Sequence, residues 1–293
     1  MVLGKNELKR IMEQYGLQPS KSLGQNFVID PNTIHKIIRE AKIENGEQIL
    51  EIGPGLGSLT AELSLNADVT AIELDQYLIP PLEEVIAQYG NAKNVEIIHG
   101  NAMEISWEEF FAERLGNWKV IANLPYNIAT PLLIELLENA PQITEMHIMV
   151  QWEVAERFAA SHGNKSYGIP SVKSQYWADV KILGKVSPNV FMPVPKVDSA
   201  LLKIRRKTIL PKIDYTTCDL LVKTAFRHRR KMLRKTLNML VTASNYALAE
   251  VNPQARPEEL SIGDWINLTK TCLLYTSDAA DEGLGVDLGG RRI

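Results

Sequence analysis

The stretch Glu51-Ile52-Gly53-Pro54-Gly55-Leu56-Gly57 decides the fold class of this 293-residue chain. It follows an apolar run at 48–52 directly, where a strand would turn into a helix. Glycines allow a sharp turn and the close approach of a ligand, and open α/β sheets bind ligands at this carboxyl edge. Glu73 ends the next apolar run, where an acid can bind ribose hydroxyls. The stretch therefore predicts a parallel sheet with a nucleoside-type site.

The remainder of the first two hundred residues alternates apolar strand patterns with helical ones. Such alternation indicates an α/β fold with a mostly parallel, Rossmann-like sheet that is covered by helices on both faces. We expect seven strands, of which the last two form an antiparallel pair. The predicted strands are 48–52, 69–74, 95–100, 119–124, 146–151, 177–186 and 199–206.

Three segments follow from these patterns. Residues 1–207 are predicted to form the ligand-binding α/β domain, and its first 47 residues form a short basic, helical lead-in, which we call the lead-in segment. Residues 208–272 lack strand patterns and are predicted to form a small helical C-terminal domain. Residues 273–293 are rich in glycine and aspartate and have no periodicity, so we expect a disordered, non-native tail.

Composition limits the class of protein. The net charge is −3, and neither a secretory signal pattern nor a continuous apolar run long enough to span a membrane is visible. Cys218 and Cys272 do not have the spacing of metal ligands, and no metal site is expected. A soluble, cytoplasmic, monomeric protein is the expectation.

The glycine loop is compatible with two ligands. A nicotinamide dinucleotide needs amides at a helix N-terminus to bind its pyrophosphate, usually with the spacing G-x-G-x-x-G. Here the spacing is G-x-G-x-G, and Glu51 precedes it. This pattern favours S-adenosylmethionine, which has no phosphate, without excluding the dinucleotide.

A second motif, Asn123-Leu124-Pro125-Tyr126, ends the fourth predicted strand beside this site. The Asn123 side-chain oxygen and the Leu124 carbonyl can accept hydrogen bonds from an exocyclic amine, and the Tyr126 ring can stack on an extruded base. Phe191, held between prolines, is a second candidate to stack on the base.

The third feature is a concentration of positive charge. Eleven lysines or arginines but only two aspartates lie between Arg205 and Leu240, and the density is highest in residues 227–235, which we call the basic segment. We predict that the segment is helical and that its cations contact RNA phosphates. The candidate RNA-binding residues are Arg205, Arg206, Lys223, Arg227, Arg229, Arg230, Lys231, Arg234 and Lys235.

Six stretches occur together in a characteristic order. They are KSLGQNFVID, LEIGPGLGSLT, AIELD, NLPYNIATP, FMPVPKVDSALL and AFRHRRKMLRKTL. Over roughly residues 5–270 the chain resembles the ribosomal RNA adenine dimethyltransferases, and within them the enzymes that act on small-subunit (16S) rRNA. The resemblance implies a class I methyltransferase fold, S-adenosylmethionine as the methyl donor, and dimethylation of N6 on two adjacent adenosines in a 3′-terminal hairpin of 16S rRNA. It also implies that the substrate is a pre-assembled small subunit.

The resemblance also implies which residues bind the cofactor. The lead-in segment would fold over it, Gly53 would line its methionine end, Glu73 would hold the ribose and position 101 would meet the adenine. The candidates are Gln25, Asn26, Val28, Glu51, Gly53, Gly55, Glu73, Asn101, Ala102 and Asn123. Asn101 departs from the aspartate that the family commonly has here, so we expect weaker cofactor binding than with Asp.

Three alternative functions remain open from the sequence. The first is a large-subunit (23S) rRNA adenine methyltransferase that confers macrolide resistance, on the same fold. The second is a ribosome-assembly factor that has the fold without the catalysis. The third is a nicotinamide-dependent dehydrogenase, for which the chain offers no evident acid or base.

Overall fold

The computed structural model describes residues 3–20 and 23–282, and it divides the chain into two units. The first unit comprises residues 1–159 and 177–208, and the second comprises 160–176 and 209–293. Residues 160–176 thus belong to the second unit, although the sequence places them in the α/β domain. Their side chains, such as Tyr167 and Val172, pack in the core of the second unit, a long-range contact that local patterns do not reveal.

Strands provide the framework of the first unit. In the part of the chain that is described they are β1 (Phe27–Val28), β2 (Glu47–Ile52), β3 (Ala67–Glu73), β4 (Val95–His99), β5 (Trp118–Asn123), β6 (Ile143–Gln151), β7 (Ala178–Val186), β8 (Phe191–Met192) and β9 (Ser199–Arg206).

Seven of these strands form one sheet in the order β4-β3-β2-β5-β6-β9-β7. The strands from β4 to β6 are parallel, and β9 lies antiparallel between β6 and β7. The predicted α/β fold, with seven strands and a terminal antiparallel pair, is confirmed. The order in which the chain adds strands reverses at β2, which lies between β3 and β5. Because these three strands are parallel, their carboxyl ends meet at one edge.

Twelve α-helices lie within the described residues. They are α1 (Lys5–Gln14), α2 (Pro31–Ala41), α3 (Ser58–Leu63), α4 (Ile79–Tyr89), α5 (Trp107–Ala112), α6 (Ala129–Asn139), α7 (Trp152–Ala159), α8 (Ile169–Trp177), α9 (Tyr215–Phe226), α10 (Leu233–Thr236), α11 (Ala243–Leu248) and α12 (Ile262–Glu282). Short 3₁₀ turns occupy Gln76–Leu78, Ala92–Asn94, Pro188–Val190 and Pro257–Glu259. None of the described helices is both long and apolar enough to cross a membrane.

The start of α2 shows why a helix begins where the sequence indicates. Asp30 accepts a hydrogen bond from the Thr33 amide at 2.9 Å, and Pro31 occupies the first turn. The Asp30 carboxylate thus pairs an amide that has no partner within the helix, and the missing N–H of proline is not needed there. The apolar face of α2, with Ile34 and Ile37, packs against the sheet.

Both faces of the sheet are covered by apolar side chains. One face packs on α5 and α6 through residues such as Trp107, Phe111 and Leu133, and the other packs on α2 and α3 through Ile37 and Leu59. These layers hold the strand ends rigidly, so the loops at the carboxyl edge extend from a fixed frame.

The second unit is helical and has its own core, in which Trp265 and Leu268 are fully buried. The basic segment does not form the single helix that was predicted. Helix α9 ends at Phe226, turns follow, and only the short α10 resumes at Leu233. The Leu233 amide donates to the Ala255 carbonyl, so tertiary contacts draw the chain away from a continuous helix.

The predicted unstructured tail begins at residue 273, but α12 continues from Ile262 to Glu282. The expectation of disorder is therefore wrong up to Glu282. The earlier turns of α12 supply the nucleus, so further helix-favouring residues such as Ala279 and Ala280 extend it readily. Residues 283–293 lie outside the described residues, and their assignment as non-native sequence stays a prediction.

Candidate active site

A cavity opens where β2, β3, β4 and β5 end. It encloses about 1040 Å³, including the part that is open to solvent. Its walls come from the glycine loop after β2, the ends of β3 and β4, the turn after β5, and the lead-in segment before β1. This is the edge at which the sequence predicts the ligand site.

The glycine loop fits against its neighbours only because positions 53 and 55 lack side chains. Gly53 and Gly55 have φ angles of 72° and 60°, in the left-handed region that favours glycine. A Cβ at Gly55 would lie 2.9 Å from the Phe27 ring, and one at Gly53 would lie 3.2 Å from Pro125. The loop therefore packs directly against the lead-in segment and the turn after β5.

Glu73 lies at the end of β3 and is 5% exposed. Its carboxylate accepts hydrogen bonds from the Gly55 amide at 3.0 Å and from the Asp75 amide at 2.9 Å. Burial raises its pKa, and the two backbone amides oppose that rise. Each oxygen keeps a lone pair, so the fixed carboxylate can accept hydrogen bonds from ligand hydroxyls.

Glu51 is the most deeply buried acid of the cavity wall, with 2% exposure. Burial, reinforced by the nearby charge of Glu73, raises its pKa to about 8. Its Oε2 has no hydrogen-bond partner among the described residues. A buried acceptor without a partner is unfavourable, so this oxygen is available to a cationic or hydrogen-bonding ligand.

Asn123 ends β5 and points into the same cavity. Its Nδ2 donates to the Asn26 carbonyl at 2.9 Å. Because a carbonyl can only accept, this bond fixes the orientation of the amide. The opposite atom, Oδ1, is buried and has no partner in the described part of the chain. The site thus presents an oriented, unpaired acceptor.

The turn after β5 is anchored at several points. The Leu124 amide donates to the Met149 carbonyl at 3.1 Å, and the Leu124 side chain is buried. Tyr126 lines the cavity, and its hydroxyl lies 2.7 Å from Ser199 Oγ. Burial raises the pKa of Tyr126.

The part of the lead-in segment at residues 23–28 lines the cavity and is tied to the residues after β3 and to the end of β5. Gln25 Nε2 donates to Asp75 Oδ2 at 2.8 Å, and Gln25 Oε1 accepts from the Ser20 amide at 2.7 Å. The Gln25 amide therefore holds the segment in place. Asn26 and Val28 line the cavity, and Val28 is buried.

Asn101 follows β4 and lines the cavity together with the buried Ala102. Asn101 Oδ1 accepts from the Met103 amide at 3.1 Å, and its Nδ2 donates to Glu104 Oε1 at 2.7 Å. The Glu104 carboxylate orients the amide so that its nitrogen is already engaged. Asn101 Oδ1 keeps a lone pair for a ligand amine.

All ten candidate cofactor residues line this one cavity, as do Leu124, Pro125 and Tyr126. Phe191 does not. It is 0% exposed, because β8 pairs with β1 and directs the ring into the core beside Val186 and Leu201. The expectation that Phe191 stacks on a base is not met, since a buried ring offers no free face.

Sequence reasoning missed Asp75, which holds Gln25, and Ser199, which holds Tyr126. Asp75 directly follows the predicted strand 69–74, so its position at the strand end was a usable signal. Ser199 had one weak signal, as a polar residue before the apolar run of β9.

Several predicted RNA-binding cations have structural partners instead. Arg206 donates to the carbonyls of Leu136, Leu137, Ala140 and Ile143, at 2.8 to 3.1 Å. Two of these carbonyls, of Leu136 and Leu137, lie in the last turn of α6, and the other two belong to Ala140, directly after that helix, and to Ile143, the first residue of β6. Arg206 therefore ties the end of α6 to the sheet, and its predicted role on RNA is not supported.

In the second unit, Arg229 pairs with Glu258 and donates to the Lys165 carbonyl, and Lys223 pairs with Asp219. The acids partly neutralise the charges of Arg229 and Lys223, which leaves less charge to attract RNA phosphates. The remaining cations are exposed and form no ion pair with any residue of the described ranges 3–20 and 23–282. They are Arg205, Arg227, Arg230, Lys231, Arg234 and Lys235.

The donor set of the cavity tests the two candidate ligands. Two buried acids, Glu51 and Glu73, face it from neighbouring strands. The Glu73 carboxylate would repel a pyrophosphate, whereas the sulfonium and ammonium groups of S-adenosylmethionine would be attracted to both acids and would favour loss of the proton that burial keeps on Glu51. The residues present fit S-adenosylmethionine and disfavour a dinucleotide.

Known proteins resemble this chain over most of its length. The family model described as ribosomal RNA adenine dimethylase matches residues 16–273. The chain belongs to the ribosomal RNA adenine dimethylase family. A Mycobacterium tuberculosis protein named ribosomal RNA small subunit methyltransferase A is 37% identical over 284 residues, covering 92% of this chain and 88% of the relative. As a member of the ribosomal RNA adenine dimethylase family, the chain is an S-adenosylmethionine-dependent methyltransferase, and its substrate is ribosomal RNA.

Solved structures of similar proteins show the same fold. A dimethyladenosine transferase from Plasmodium falciparum aligns with a TM-score of 0.70 and 25% identity, over 87% of this chain and 98% of that one. The 23S rRNA methyltransferase ErmE aligns with a TM-score of 0.66 and 23% identity, over 84% and 99%. The second likeness concerns the fold alone, so it does not separate small-subunit from large-subunit members of the ribosomal RNA adenine dimethylase family.

Proposed function

We propose that this chain transfers methyl groups from S-adenosylmethionine to N6 of two adjacent adenosines in a 3′-terminal hairpin of 16S rRNA. The observation that carries the proposal is the oriented, buried and unpaired Oδ1 of Asn123 in the cavity. Such an acceptor needs a hydrogen-bond donor, and the exocyclic amine of adenine can supply one. A dehydrogenase reading leaves this acceptor without a role.

In the proposed reaction the turn after β5 holds the target base. Asn123 Oδ1 and the Leu124 carbonyl accept the two N–H bonds of the amine, which directs its lone pair into the cavity. The Tyr126 ring lies against the extruded base. When bound, S-adenosylmethionine supplies an electrophilic methyl group on its sulfonium. Positioning by these residues provides most of the rate, so no side chain needs to abstract a proton before transfer.

The opposite wall would hold the cofactor. Glu73, fixed by the Gly55 and Asp75 amides, would accept hydrogen bonds from ribose hydroxyls. Glu51 would face the cationic groups, and Asn101 would accept from the adenine amine. Gly53 and Gly55 would let the backbone of the loop approach the cofactor closely, and the lead-in residues that line the cavity would lie beside it.

The exposed cations are proposed to contact rRNA phosphates. Arg227, Arg230, Lys231, Arg234 and Lys235 lie in or beside the turns between α9 and α10, where several can reach one backbone. Phosphate contacts of this kind make affinity depend strongly on salt. Lys223 and Arg229 would contribute less, because acids already pair with them.

The form of the substrate is part of the proposal. We propose that the chain acts in the cytoplasm, as a monomer, on small subunits that are already assembled. The name of the Mycobacterium tuberculosis relative, which refers to the small subunit, supports the choice of small-subunit rRNA as the target.

The experiment that tests this function compares substrates. Small ribosomal subunits that lack the dimethyladenosines, and protein-free 23S RNA, are incubated with the protein and methyl-labelled S-adenosylmethionine. Mass-spectrometric mapping is expected to find N6,N6-dimethyladenosine at two adjacent positions of 16S rRNA. Label in 23S RNA alone would favour the large-subunit reading, and no label in either would favour a non-catalytic assembly factor.

A further inference from the structure

The buried hydroxyl of Ser199 does not line the cavity, but it contacts a residue that does. Ser199 begins β9 and is 0% exposed, ahead of the apolar Ala200 and Leu201. A hydroxyl in such a place is unfavourable unless it is hydrogen-bonded. Its side-chain partner is the Tyr126 hydroxyl, at 2.7 Å.

The backbone of Ser199 has little freedom to move. In the sheet it lies opposite Gln151 of β6 on one side and Val186 of β7 on the other, both antiparallel. A residue paired on two sides is among the most rigid places in a fold. The Ser199 hydroxyl is therefore a fixed point.

Tyr126 is attached to this fixed point at the far end of its ring. Its near end follows the turn that the Leu124 amide ties to the Met149 carbonyl at 3.1 Å. The ring is thus held at both ends while it lines the cavity. With the hydroxyl bond in place, the ring has one orientation relative to Asn123, which lies on the same turn.

We propose that Ser199 is a positioning residue for methyl transfer, which sets the plane of the Tyr126 ring against which the target adenine rests. This inference rests on the proposed function. A tilt of the ring would move the amine away from Asn123 Oδ1, and small displacements of a reacting group lower the rate strongly. Ser199 touches neither base nor cofactor, so its loss should change turnover and leave cofactor affinity unchanged.

The test is a double-mutant cycle with Ser199→Ala, Tyr126→Phe and the combined variant, assayed on small subunits that lack the dimethyladenosines. Each single variant removes the same hydrogen bond. We expect kcat to fall about tenfold in each, the size of effect that one hydrogen bond to a positioned group supports. The combined variant should be no slower than the singles, and the KM for S-adenosylmethionine should not change.

Ser64→Ala is the matched control. Ser64 is also 0% exposed in the first unit, but its hydroxyl bonds the Ala61 carbonyl and the Asn91 amide. This variant should lose stability without losing kcat, which separates positioning from folding. Full kcat in Ser199→Ala, or losses that multiply in the combined variant, would overturn the role of Ser199 while wild-type activity upholds the proposed function. A wild-type protein that methylates no rRNA would overturn both.

Discussion

The cavity of the first unit and the basic segment of the second unit differ in how their functional side chains are held. In the cavity, Glu73 and Asn123 are held by backbone groups and keep specific acceptor positions unpaired. In the basic segment, Arg230 and Lys231 are exposed and have no ion pair among the described residues. The first arrangement suits recognition of single atoms, and the second suits a diffuse attraction to phosphates. A single substitution should therefore lower activity strongly in the cavity, whereas each substitution in the basic segment should weaken RNA binding only slightly.

The largest effect is expected from Asn123→Ala. Removal of the one oriented acceptor should lower kcat roughly 100- to 1000-fold, as the loss of a preorganised hydrogen-bond partner does elsewhere. Cofactor affinity should fall much less than kcat, because the other nine candidate cofactor residues, including Glu73, are unchanged. Methyl transfer to small subunits and calorimetric titration measure the two quantities. The exposed Asn139→Ala is the control, and an Asn123→Ala variant with near wild-type turnover would refute the assigned role.

The next prediction concerns stability against pH. The unfolded Glu51 ionises near 4.5 and the folded one at about 8. Between these values the folded state holds a proton that the unfolded state has lost, so stability falls as the pH rises. Denaturation at pH 5 and pH 8 should show this fall in wild type and a smaller one in Glu51→Gln. The exposed Glu108→Gln should keep the wild-type slope, and equal slopes in all three proteins would show that Glu51 is not protonated in the fold.

Two neighbouring arginines sharpen the comparison within one strand. Arg206→Ala should lower the free energy of unfolding by roughly 2 kcal/mol, because four carbonyls at and after the end of α6 lose their hydrogen bonds from the guanidinium. Arg205→Ala, at an exposed position, should change it by less than about 0.5 kcal/mol. Urea denaturation measures both. Similar losses in the two variants would contradict the capping role.

Single cations of the basic segment should have smaller effects. Arg230→Ala or Lys231→Ala should weaken binding to small subunits by about threefold, and the dependence of log affinity on log salt should become shallower by about one unit. Arg229→Ala should instead lower thermal stability, since Arg229 is bound to Glu258 and Lys165. Binding that is independent of salt in wild type would exclude the segment as the phosphate contact.

The smallest effect is expected at Asn101. Asn101→Asp should strengthen cofactor binding by about threefold, because a carboxylate accepts more strongly from an amine. Glu104 lies within hydrogen-bond distance of Asn101, and its repulsion of a new carboxylate limits the gain. The combined Asn101→Asp, Glu104→Gln variant should therefore bind more tightly than the single one. Unchanged or poorer affinity in both, by calorimetric titration, would contradict this account of the adenine contact.

Much of the first unit could be predicted from the sequence because its signals are local. Apolar runs such as 48–52 end in glycine or polar residues. In a parallel sheet these residues must lie at one edge, so the residues that line the cavity could be predicted. The two-residue strands β1 and β8 are too short to show a period, and their pairing buries Phe191. That burial depends on a contact between distant parts of the chain.

The cations show the same limit. Sequence gives the charge of Arg206 and Arg229, but not the carbonyls and the acid that they bind after folding. Likewise, the basic segment has a helical pattern that tertiary contacts override near Leu233. The residue types at these positions were known from the sequence, but the groups that they bind in the folded protein could not be predicted from it.

The most direct test of the central claim is a crystal structure with S-adenosylhomocysteine and an adenosine-containing RNA fragment. We predict that Glu73 contacts the ribose of the cofactor product and that the adenosine N6 lies within about 3.2 Å of Asn123 Oδ1, a normal hydrogen-bond distance. A cofactor product bound away from Glu73, or an adenosine whose amine does not meet Asn123, would contradict the account.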